Sequence, residues 1–371
     1  MADDILSGKT QDYRAASEAL HADGSAQDRH ATNLRVLWEC GLAELIRNDF
    51  YGLFEFPRGE RGTLLDAGCG TGYEAGQLAR IVPGLRYFGV DISSLRLAEA
   101  AANGVAQPSR FFQSALETVP FAAETFDYIG SHEVIEHVED PAIVLPELYR
   151  VLKPGGVCVI ATPNGASLWV EHIRQRLARL CGYRGAPVGE DHTRTPGFWR
   201  RQFERAGFTV ERRMFDGAAF EFLTYVAPAS WMRAGVRLLE PLRIVPGVNL
   251  LLCDRVKYRL RKPGASPAAD TDPRAVCPVC HAGLDVGDGE ATCGNGHRFG
   301  LNSSGLIDFT APLRDAPAAP PSEPDALAVR SWGRKLRRVL LAAGCLPYLG
   351  FLVLLLPLGF VAGRFRQPLP D

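Results

Sequence analysis

The amino-terminal stretch of this 371-residue chain lacks an apolar run. Its first ten residues, MADDILSGKT, are polar, so we expect no secretory signal peptide. The sequence also lacks internal repeats and any marked excess of one charge, since 41 Lys and Arg stand against 42 Asp and Glu. An apolar content of 46% is ordinary for a globular protein, and this length suits two domains or one domain with appendages.

The nine cysteines lack the paired spacing of a disulfide framework. Three of them cluster, at Cys277, Cys280 and Cys293. The others are scattered singly, at Cys40, Cys69, Cys158, Cys181, Cys253 and Cys345. This pattern indicates a reducing compartment and one metal site.

The near-zero net charge conceals a segregation along the chain. Residues 1–167 carry 13 Lys and Arg against 23 Asp and Glu, whereas residues 168–262 carry 18 against 9. A basic segment of this kind indicates a polyanionic neighbour, such as an anionic lipid surface, a phosphorylated substrate or RNA. The alternative interpretation is an arginine-rich, solvated helical face.

The apolar pattern changes its period along the first half of the chain. Helical spacing predicts an N-terminal helical cap over residues 1–62, with an apolar stripe of Leu34, Leu37, Trp38, Leu42, Leu45 and Ile46. Beyond it, short apolar runs alternate with helical stretches. The predicted strands are 63–66, 87–91, 111–113, 126–130 and 156–161, and the predicted helices are 73–81, 95–102 and 141–152. This alternation predicts an α/β fold with a parallel, doubly wound sheet.

The second half is less regular. We predict one α/β domain over 63–262, with a helix at 198–206, a late strand at 207–211 and broken amphipathic helices at 230–260, where Pro241 and Pro246 interrupt arginines and leucines. A Pro/Ala-rich linker, 262–273, precedes a small cysteine module at 274–310. Residues 311–333 hold five prolines between 312 and 324 and are predicted to be a disordered linker.

A glycine-rich turn follows the first predicted strand. Gly68, Gly70 and Gly72 stand between that strand and a helix, where backbone N–H groups can approach a ligand without interference from Cβ atoms. Three glycines alone would also fit a nicotinamide or flavin site. The turn, however, opens with Asp66 and reads DAGCGTG, and Asp91 ends the second strand, where a carboxylate can accept hydrogen bonds from ribose hydroxyls.

With Phe126-Asp127, the run Glu133-Val134-Ile135-Glu136-His137-Val138 and the later Leu152-Lys153-Pro154-Gly155-Gly156, the chain resembles the class I S-adenosylmethionine methyltransferases, particularly the ubiquinone-type O-methyltransferases. The resemblance covers residues 60–165 and implies a Rossmann-like domain. It also implies that Asp66 and the three glycines hold the methionine part of the cofactor and that Asp91 takes the ribose. The remaining implied contacts are Ile92 on the adenine face, Ser114, Ala115 and Leu116 along the adenine edge, and His132 and Glu133 on the methionine side.

Methyl transfer to a hydroxyl group is helped by a general base. The candidates are His132, His137, Asp191 and His192. The stretch Glu190-Asp191-His192 lies where related enzymes carry a substrate-facing histidine, so we favour His192 over His137 and predict His192 and His132 as catalytic residues.

The cysteine module has the spacing of a metal site. Cys277 and Cys280 form a Cys-x2-Cys knuckle, and Cys293 and His297 follow as Cys-x3-His, which can complete a tetrahedron for Zn²⁺. His281 competes as a ligand but directly follows Cys280. The module resembles the zinc ribbon of some guanine-modifying ribosomal-RNA methyltransferases, including a following aromatic, Phe299. Four protein ligands would close the coordination sphere, so we predict a structural metal.

Residues 339–363 form a 25-residue run without a charged side chain, long enough for a transmembrane helix. Pro347 and Pro357 could instead bend it into a re-entrant hairpin. Basic residues flank the run, with the larger cluster before it: Arg334, Lys335, Arg337 and Arg338 precede, and Arg364 and Arg366 follow. We therefore expect a cytoplasmic-membrane protein whose catalytic domain lies on the cytoplasmic face, against an anionic leaflet.

These patterns support one leading function and two alternatives. The leading prediction is a membrane-anchored methyltransferase that modifies a small-molecule or lipid-linked acceptor, namely a lipid, a quinone or a lipid-linked glycan intermediate. The cysteine module and the basic segment favour an RNA methyltransferase instead. The third hypothesis is a cofactor-binding scaffold without catalysis, against which the intact glycine turn and Asp91 argue.

Overall fold

The computed structural model describes residues 48–102, 110–138, 140–167, 193–218, 244–265, 273–287 and 289–310. Several predictions lie outside these residues: most of the helical cap, the linker 311–333, the hydrophobic run 339–363 and His192. Within the described ranges, every helix is too short or too polar to span a bilayer.

Ten strands and five delimited α-helices make up the described fold, and residues 48–52, the described part of the predicted helical cap before residue 53, are also helical. The strands are β1 (Thr63–Ala67), β2 (Arg86–Asp91), β3 (Phe111–Gln113), β4 (Phe126–His132), β5 (Leu152–Pro163), β6 (Thr209–Ala218), β7 (Cys253–Arg261), β8 (Leu284–Val286), β9 (Glu290–Cys293) and β10 (Arg298–Gly300). The helices are α1 (Tyr73–Ile81), α2 (Ser94–Ala102), α3 (Pro141–Val151), α4 (Pro196–Arg205) and α5 (Val248–Leu252), with short 3₁₀ turns at Leu116–Thr118 and Gly165–Ser167.

A seven-stranded sheet organises the larger unit, in the order β3-β2-β1-β4-β5-β7-β6. Strands β1 to β5 are parallel, and β7 runs antiparallel between β5 and β6. The chain proceeds outward from β1 through β2 to β3 and then resumes at β4, on the other side of β1. In such sheets, ligands bind outside the carboxyl ends of the strands where the winding reverses. The glycine turn that follows β1 lies at this position.

Buried apolar side chains cover both faces of the sheet, as a parallel sheet requires. On one face, α3 and α4 contribute Leu148, Trp199 and Phe203 to a core that also contains Tyr258 of β7. On the other, Leu78 of α1 and Leu97 of α2 pack in a core with the aromatic residues near position 50. The predicted α/β fold with a doubly wound sheet is therefore confirmed, although the sheet is only mostly parallel because β7 runs antiparallel to β5 and β6.

Helices α3 and α4 begin where their sequences supply a cap. The Asp140 side chain accepts a hydrogen bond from the N–H of Ala142, and the Thr195 side chain accepts one from the N–H of Phe198. A proline follows each cap, at the first helical position, where its missing N–H leaves no bond unmade.

The prediction of broken helices over 230–260 is wrong at its end, because residues 253–261 form strand β7. Val256, Tyr258 and Leu260 are buried in the core beneath α4. The cationic residues alternate with them and point to the other face. This period of two is typical of a strand, although the mixture of arginines and leucines favours a helix when the sequence is considered alone.

The cationic side chains of β7 make contacts inside the fold. The guanidinium of Arg259 bonds Glu211 at 2.7 Å and the Phe54 carbonyl oxygen at 2.8 Å. The ammonium of Lys257 pairs with the buried Asp216. In residues 253–262, therefore, part of the positive charge balances internal carboxylates. The predicted substrate- or membrane-facing surface would depend on the rest of the basic segment.

The cysteine module forms a second, three-stranded antiparallel sheet in the order β10-β9-β8. Its small core contains Cys277, Cys293, Phe299 and Phe309, and Phe112 of β3 packs against it. The module thus lies against the outer strand of the large sheet.

Candidate cofactor and metal sites

Three glycines give the turn after β1 its shape. Gly68, Gly70 and Gly72 have φ angles of 85°, 53° and 70°, in the left-handed region that L side chains rarely adopt. A Cβ atom on Gly68 would also lie 2.5 Å from the Val134 side chain. At Gly70, the nearest neighbour of such an atom would be Arg96 at 3.7 Å, so the space in front of this residue stays open to a ligand.

Asp91 fixes the turn from the end of β2. One carboxylate oxygen accepts the Gly70 N–H at 2.8 Å, and the other accepts the Ser93 N–H at 2.9 Å. An ionised carboxylate has about four acceptor positions. Two therefore remain for donors such as ribose hydroxyls, and the predicted role of Asp91 is compatible with the geometry.

Asp66 is buried at the end of β1, and the Tyr87 hydroxyl donates a hydrogen bond to it. Burial raises the pKa of the Asp66 carboxyl to about 7; the bond from Tyr87 lowers it, and the charge of Asp91 raises it further. A carboxyl group with this pKa changes its charge near neutral pH. A cationic partner, such as the ammonium group of a bound methionine moiety, would favour its ionised form.

The predicted adenine contacts lie together beside Asp91. Ile92 is half-buried, and its carbonyl oxygen accepts a hydrogen bond from the Gln113 side chain at 3.1 Å. The Ser114 N–H donates to the Asp91 carbonyl oxygen at 3.1 Å, and Ala115 and Leu116 continue the buried segment. The structure therefore brings Ile92 and residues 114–116 to the same side of the turn.

His132 and Glu133 lie at the carboxyl end of β4, on the opposite side of the turn. The His132 ring packs edge-on against Phe50, with ring centroids 4.9 Å apart. Glu133 has a φ of 57°, which is uncommon for a residue other than glycine, and its N–H donates to the Ala161 carbonyl oxygen at 2.9 Å. Such backbone conformations are often found at functional sites. The other predicted catalytic residue, His192, lies outside the described residues.

The four predicted metal ligands are brought together in the cysteine module. One ligand atom from each of Cys277, Cys280, Cys293 and His297 lies within 4.8 Å of the others. The Cys280 and Cys293 sulfurs are 3.6 Å apart, and the Cys293 sulfur lies 3.3 Å from Nδ1 of His297. The edges of a zinc tetrahedron are roughly 3.5–3.8 Å for Zn–S and Zn–N bonds of about 2.3 and 2.0 Å. Backbone N–H donation at Ala282 lowers the pKa of the Cys280 thiol to about 6, which favours the thiolate form that binds metals.

Sequence comparison identifies the family. A methyltransferase domain model matches residues 65–160. A relative from Mycolicibacterium smegmatis, whose name describes an S-adenosylmethionine-dependent methyltransferase, is 30% identical over 213 residues, which cover 56% of this chain and 76% of that protein. The chain belongs to the S-adenosylmethionine-dependent methyltransferases. The predicted enzyme class is thereby confirmed, and S-adenosylmethionine is supported as its cofactor.

Other similar proteins differ in what their names specify. A ubiquinone biosynthesis O-methyltransferase from a Methylobacterium species is 36% identical to this methyltransferase over 104 residues, which cover 28% of this chain and 41% of the relative. The structure of the geranyl diphosphate C-methyltransferase from Streptomyces coelicolor has 18% identity, covering 60% of this chain and 79% of that one, with a TM-score of 0.42. At this score the structural likeness says nothing of the substrate.

Sequence reasoning missed a buried ionic pair beside His132 in this methyltransferase. Asp216 and Lys257 are 2% and 0% exposed, and Arg255 lies 3.6 Å from Asp216. Burial raises the pKa of Asp216, but Lys257, Arg255 and His132 together hold it below its usual value. The signal in the sequence was the alternation of Arg255 and Lys257 with apolar residues, which marks a strand.

Proposed function

We propose that this methyltransferase transfers a methyl group to the oxygen of a small-molecule or lipid-linked acceptor, namely a lipid, a quinone or a lipid-linked glycan intermediate. The observation that carries this proposal is the similarity to relatives named ubiquinone biosynthesis O-methyltransferases, of which the chain covers 41% in the Methylobacterium protein and 68% in one from Psychrobacter cryohalolentis. The uncharged run at residues 339–363, flanked by basic residues, supports an acceptor in the membrane and an anionic leaflet as partner.

The described residues would bind the cofactor and the acceptor from two sides of the glycine turn. S-adenosylmethionine, when bound, supplies an electrophilic methyl group on a sulfonium sulfur. Asp91 would accept hydrogen bonds from the ribose, and Asp66 would face the methionine part. His132, or His192 from the region beyond the described residues, would take the proton of the acceptor hydroxyl as the new oxygen–carbon bond forms and the carbon–sulfur bond breaks.

Methyl-labelled S-adenosylmethionine would test the acceptor class. Purified full-length protein is incubated with a membrane lipid extract containing quinone precursors or, separately, with total RNA. Label in the organic phase is the expected result. Label in RNA, with binding that weakens steeply as salt rises, would establish the alternative function, which the cysteine module and the basic segment favour. Cofactor binding without label in either fraction would instead support the hypothesis of a cofactor-binding scaffold without catalysis.

Removal of residues 335–371 would test the anchor. We expect the full chain to float with vesicles of anionic phospholipid and the shortened chain to stay in the soluble fraction with its affinity for S-adenosylhomocysteine unchanged. Continued flotation of the shortened chain would move the membrane contact to the 230–262 segment and contradict an anchor at 339–363.

We also propose Zn²⁺ as the structural ion of the cysteine module. The donor set of three thiolates and one imidazole is typical of closed, structural zinc sites. The measurement is metal content by mass spectrometry, with about one zinc per chain expected for the purified protein and a marked loss in Cys280→Ser. A wild-type protein that neither contains zinc nor takes it up would refute this assignment.

A further inference from the structure

The cysteine module holds the adenine-side segment 113–121 at both of its ends. At one end, Gln113 forms a parallel bridge with Asp308, and the Phe309 N–H donates to the Gln113 carbonyl oxygen at 2.8 Å. At the other end, the Val276 N–H donates to the Pro120 carbonyl oxygen at 2.9 Å. The module therefore brackets the stretch that contains residues 114–116, which we expect to lie along the adenine edge.

The Gln113 side chain connects the module to the cofactor turn. It is fully buried, its Oε1 accepts a hydrogen bond from the Asn302 amide at 2.6 Å, and its Nε2 donates to the Ile92 carbonyl oxygen at 3.1 Å. Ile92 directly follows Asp91. Two consecutive hydrogen bonds thus lead from the module to the residue beside the predicted ribose-binding carboxylate.

The loop that carries Asn302 orients its side chain. The Asn302 Oδ1 accepts the N–H groups of Ser304 and Leu306 at 2.8 and 3.0 Å, which directs the amide nitrogen toward Gln113. Neither Asn302 nor Gln113 belongs to a recognisable motif. Their contact spans 189 positions in the sequence.

The module's own order depends on its metal ligands. Its strands are three or four residues long, too short for independent stability. Cys277 and Cys293 lie in the same small core as Phe299 and Phe309, whose rings are 5.2 Å apart. In modules of this size, metal binding supplies much of the folding free energy. Metal loading would therefore decide whether Asn302 and Phe309 are held in place.

We infer that the cysteine module is a clamp on the cofactor pocket, with Asn302 and Gln113 as positioning residues that set the affinity for S-adenosylmethionine. The dependence of the clamp on metal rests on the zinc site proposed above, whereas the Asn302–Gln113 contact does not. Loss of the Asn302–Gln113 hydrogen bond, which orients the amide that contacts Ile92 beside Asp91, is expected to weaken cofactor binding about tenfold, a change within the range of a buried polar contact.

Asn302→Asp is the sharpest variant, since it keeps the Oδ acceptor for the loop N–H groups and removes the donor to Gln113. Ser303→Ala, at an exposed position of the same loop, is the matched control. The readouts are zinc content and the dissociation constant of S-adenosylhomocysteine by calorimetry. We expect Asn302→Asp to retain zinc and bind about tenfold more weakly, and Ser303→Ala to match the wild type. Unchanged affinity in zinc-loaded Asn302→Asp would overturn the inference.

Hydrogen exchange of wild-type protein, before and after removal of metal by a chelator, gives a measurement that needs no variant. We expect faster exchange at the amides of residues 113–121 and weaker binding of S-adenosylhomocysteine once the metal is removed. Metal loss without either change would refute metal control of the clamp. A protein without zinc would contradict the proposed metal site and would leave Asn302→Asp to decide the clamp itself.

Discussion

Lowering the pH from about 8 to about 5 is expected to weaken the binding of S-adenosylhomocysteine to this methyltransferase, through protonation of Asp66. Burial raises the pKa of this carboxyl to about 7. The resemblance implies that Asp66 faces the methionine part of the ligand, whose ammonium group favours the ionised carboxylate. Protonation therefore removes the charge that binding requires.

The magnitude follows from linkage. If only the ionised form binds, the dissociation constant is multiplied by 1 + 10^(pKa − pH), which is about tenfold at pH 6 and about a hundredfold at pH 5. The free energy of unfolding changes in the opposite direction, since protonation of Asp66 at low pH stabilises the folded state. The folded state keeps the Asp66 proton up to about pH 7, whereas the unfolded chain loses it near pH 4. The contribution of Asp66 to the free energy of unfolding is therefore fully present below about pH 4. It falls by up to about 1.4 kcal/mol per pH unit as the pH rises from about 4 to about 7.

Calorimetric titrations at several pH values, in buffers of different ionisation enthalpy, measure both the affinity and the protons released on binding. Asp66→Asn is the control, because it cannot ionise and retains His132. The variant should bind weakly with little pH dependence, and any slope left in it belongs to other groups. A wild-type affinity that stays constant between about pH 5 and 8 would refute the assignment of Asp66 to the methionine side.

Further substitutions test the turn and the buried pair. Asp91→Ala should weaken the affinity for S-adenosylmethionine at least a hundredfold, because the ribose and two N–H groups lose a charged acceptor worth roughly 1.5–3 kcal/mol per bond. An unchanged dissociation constant by calorimetry would contradict this role. Gly68→Ala should lower the free energy of unfolding by roughly 1–3 kcal/mol, since it combines a φ of 85° with a contact to Val134, and thermal denaturation measures it. Lys257→Met should destabilise the fold by about 3–5 kcal/mol, because it leaves Asp216 buried without that cation. The double variant with Asp216→Leu should recover much of the lost stability. A double variant as unstable as the single one would argue against the pair.

The parallel half of the sheet was predictable from the sequence because its information is local. Each of the first five strands is an apolar run followed by a turn or helix signal, and α1 was predicted with its observed ends, Tyr73–Ile81. The glycine turn and Asp91 were recognisable for the same reason: their spacing along the chain fixes their spacing in the site.

Strand β7 was not predictable in this way, because its stability depends on partners distant in the sequence. Arg259 is compatible with a buried strand only because Glu211 and the Phe54 carbonyl oxygen meet its guanidinium. Likewise, Lys257 requires Asp216. Without these partners, an arginine-rich stretch resembles a solvated helix, and the sequence pattern of residues 230–260 accordingly predicts broken amphipathic helices.

The clustering of Cys277, Cys280, Cys293 and His297 was predictable from their spacing, but the place where the module docks was not. Asn302 and Gln113 are single polar residues that gain meaning only when Asp308 is placed beside the outer strand of the large sheet. No local pattern encodes such a pairing.

The position of Asp308 and Phe309 beside β3 also bears on solubility. An outer strand offers its unpaired backbone groups to any other chain, and proteins commonly cover such strands to prevent aggregation. Here the Phe309 N–H donates a hydrogen bond to the Gln113 carbonyl oxygen, so the module covers this edge of the sheet against pairing with strands of other chains. If the module holds the proposed zinc ion, its removal by a chelator should therefore make the enzyme prone to self-association and weaken its binding of the methyl donor.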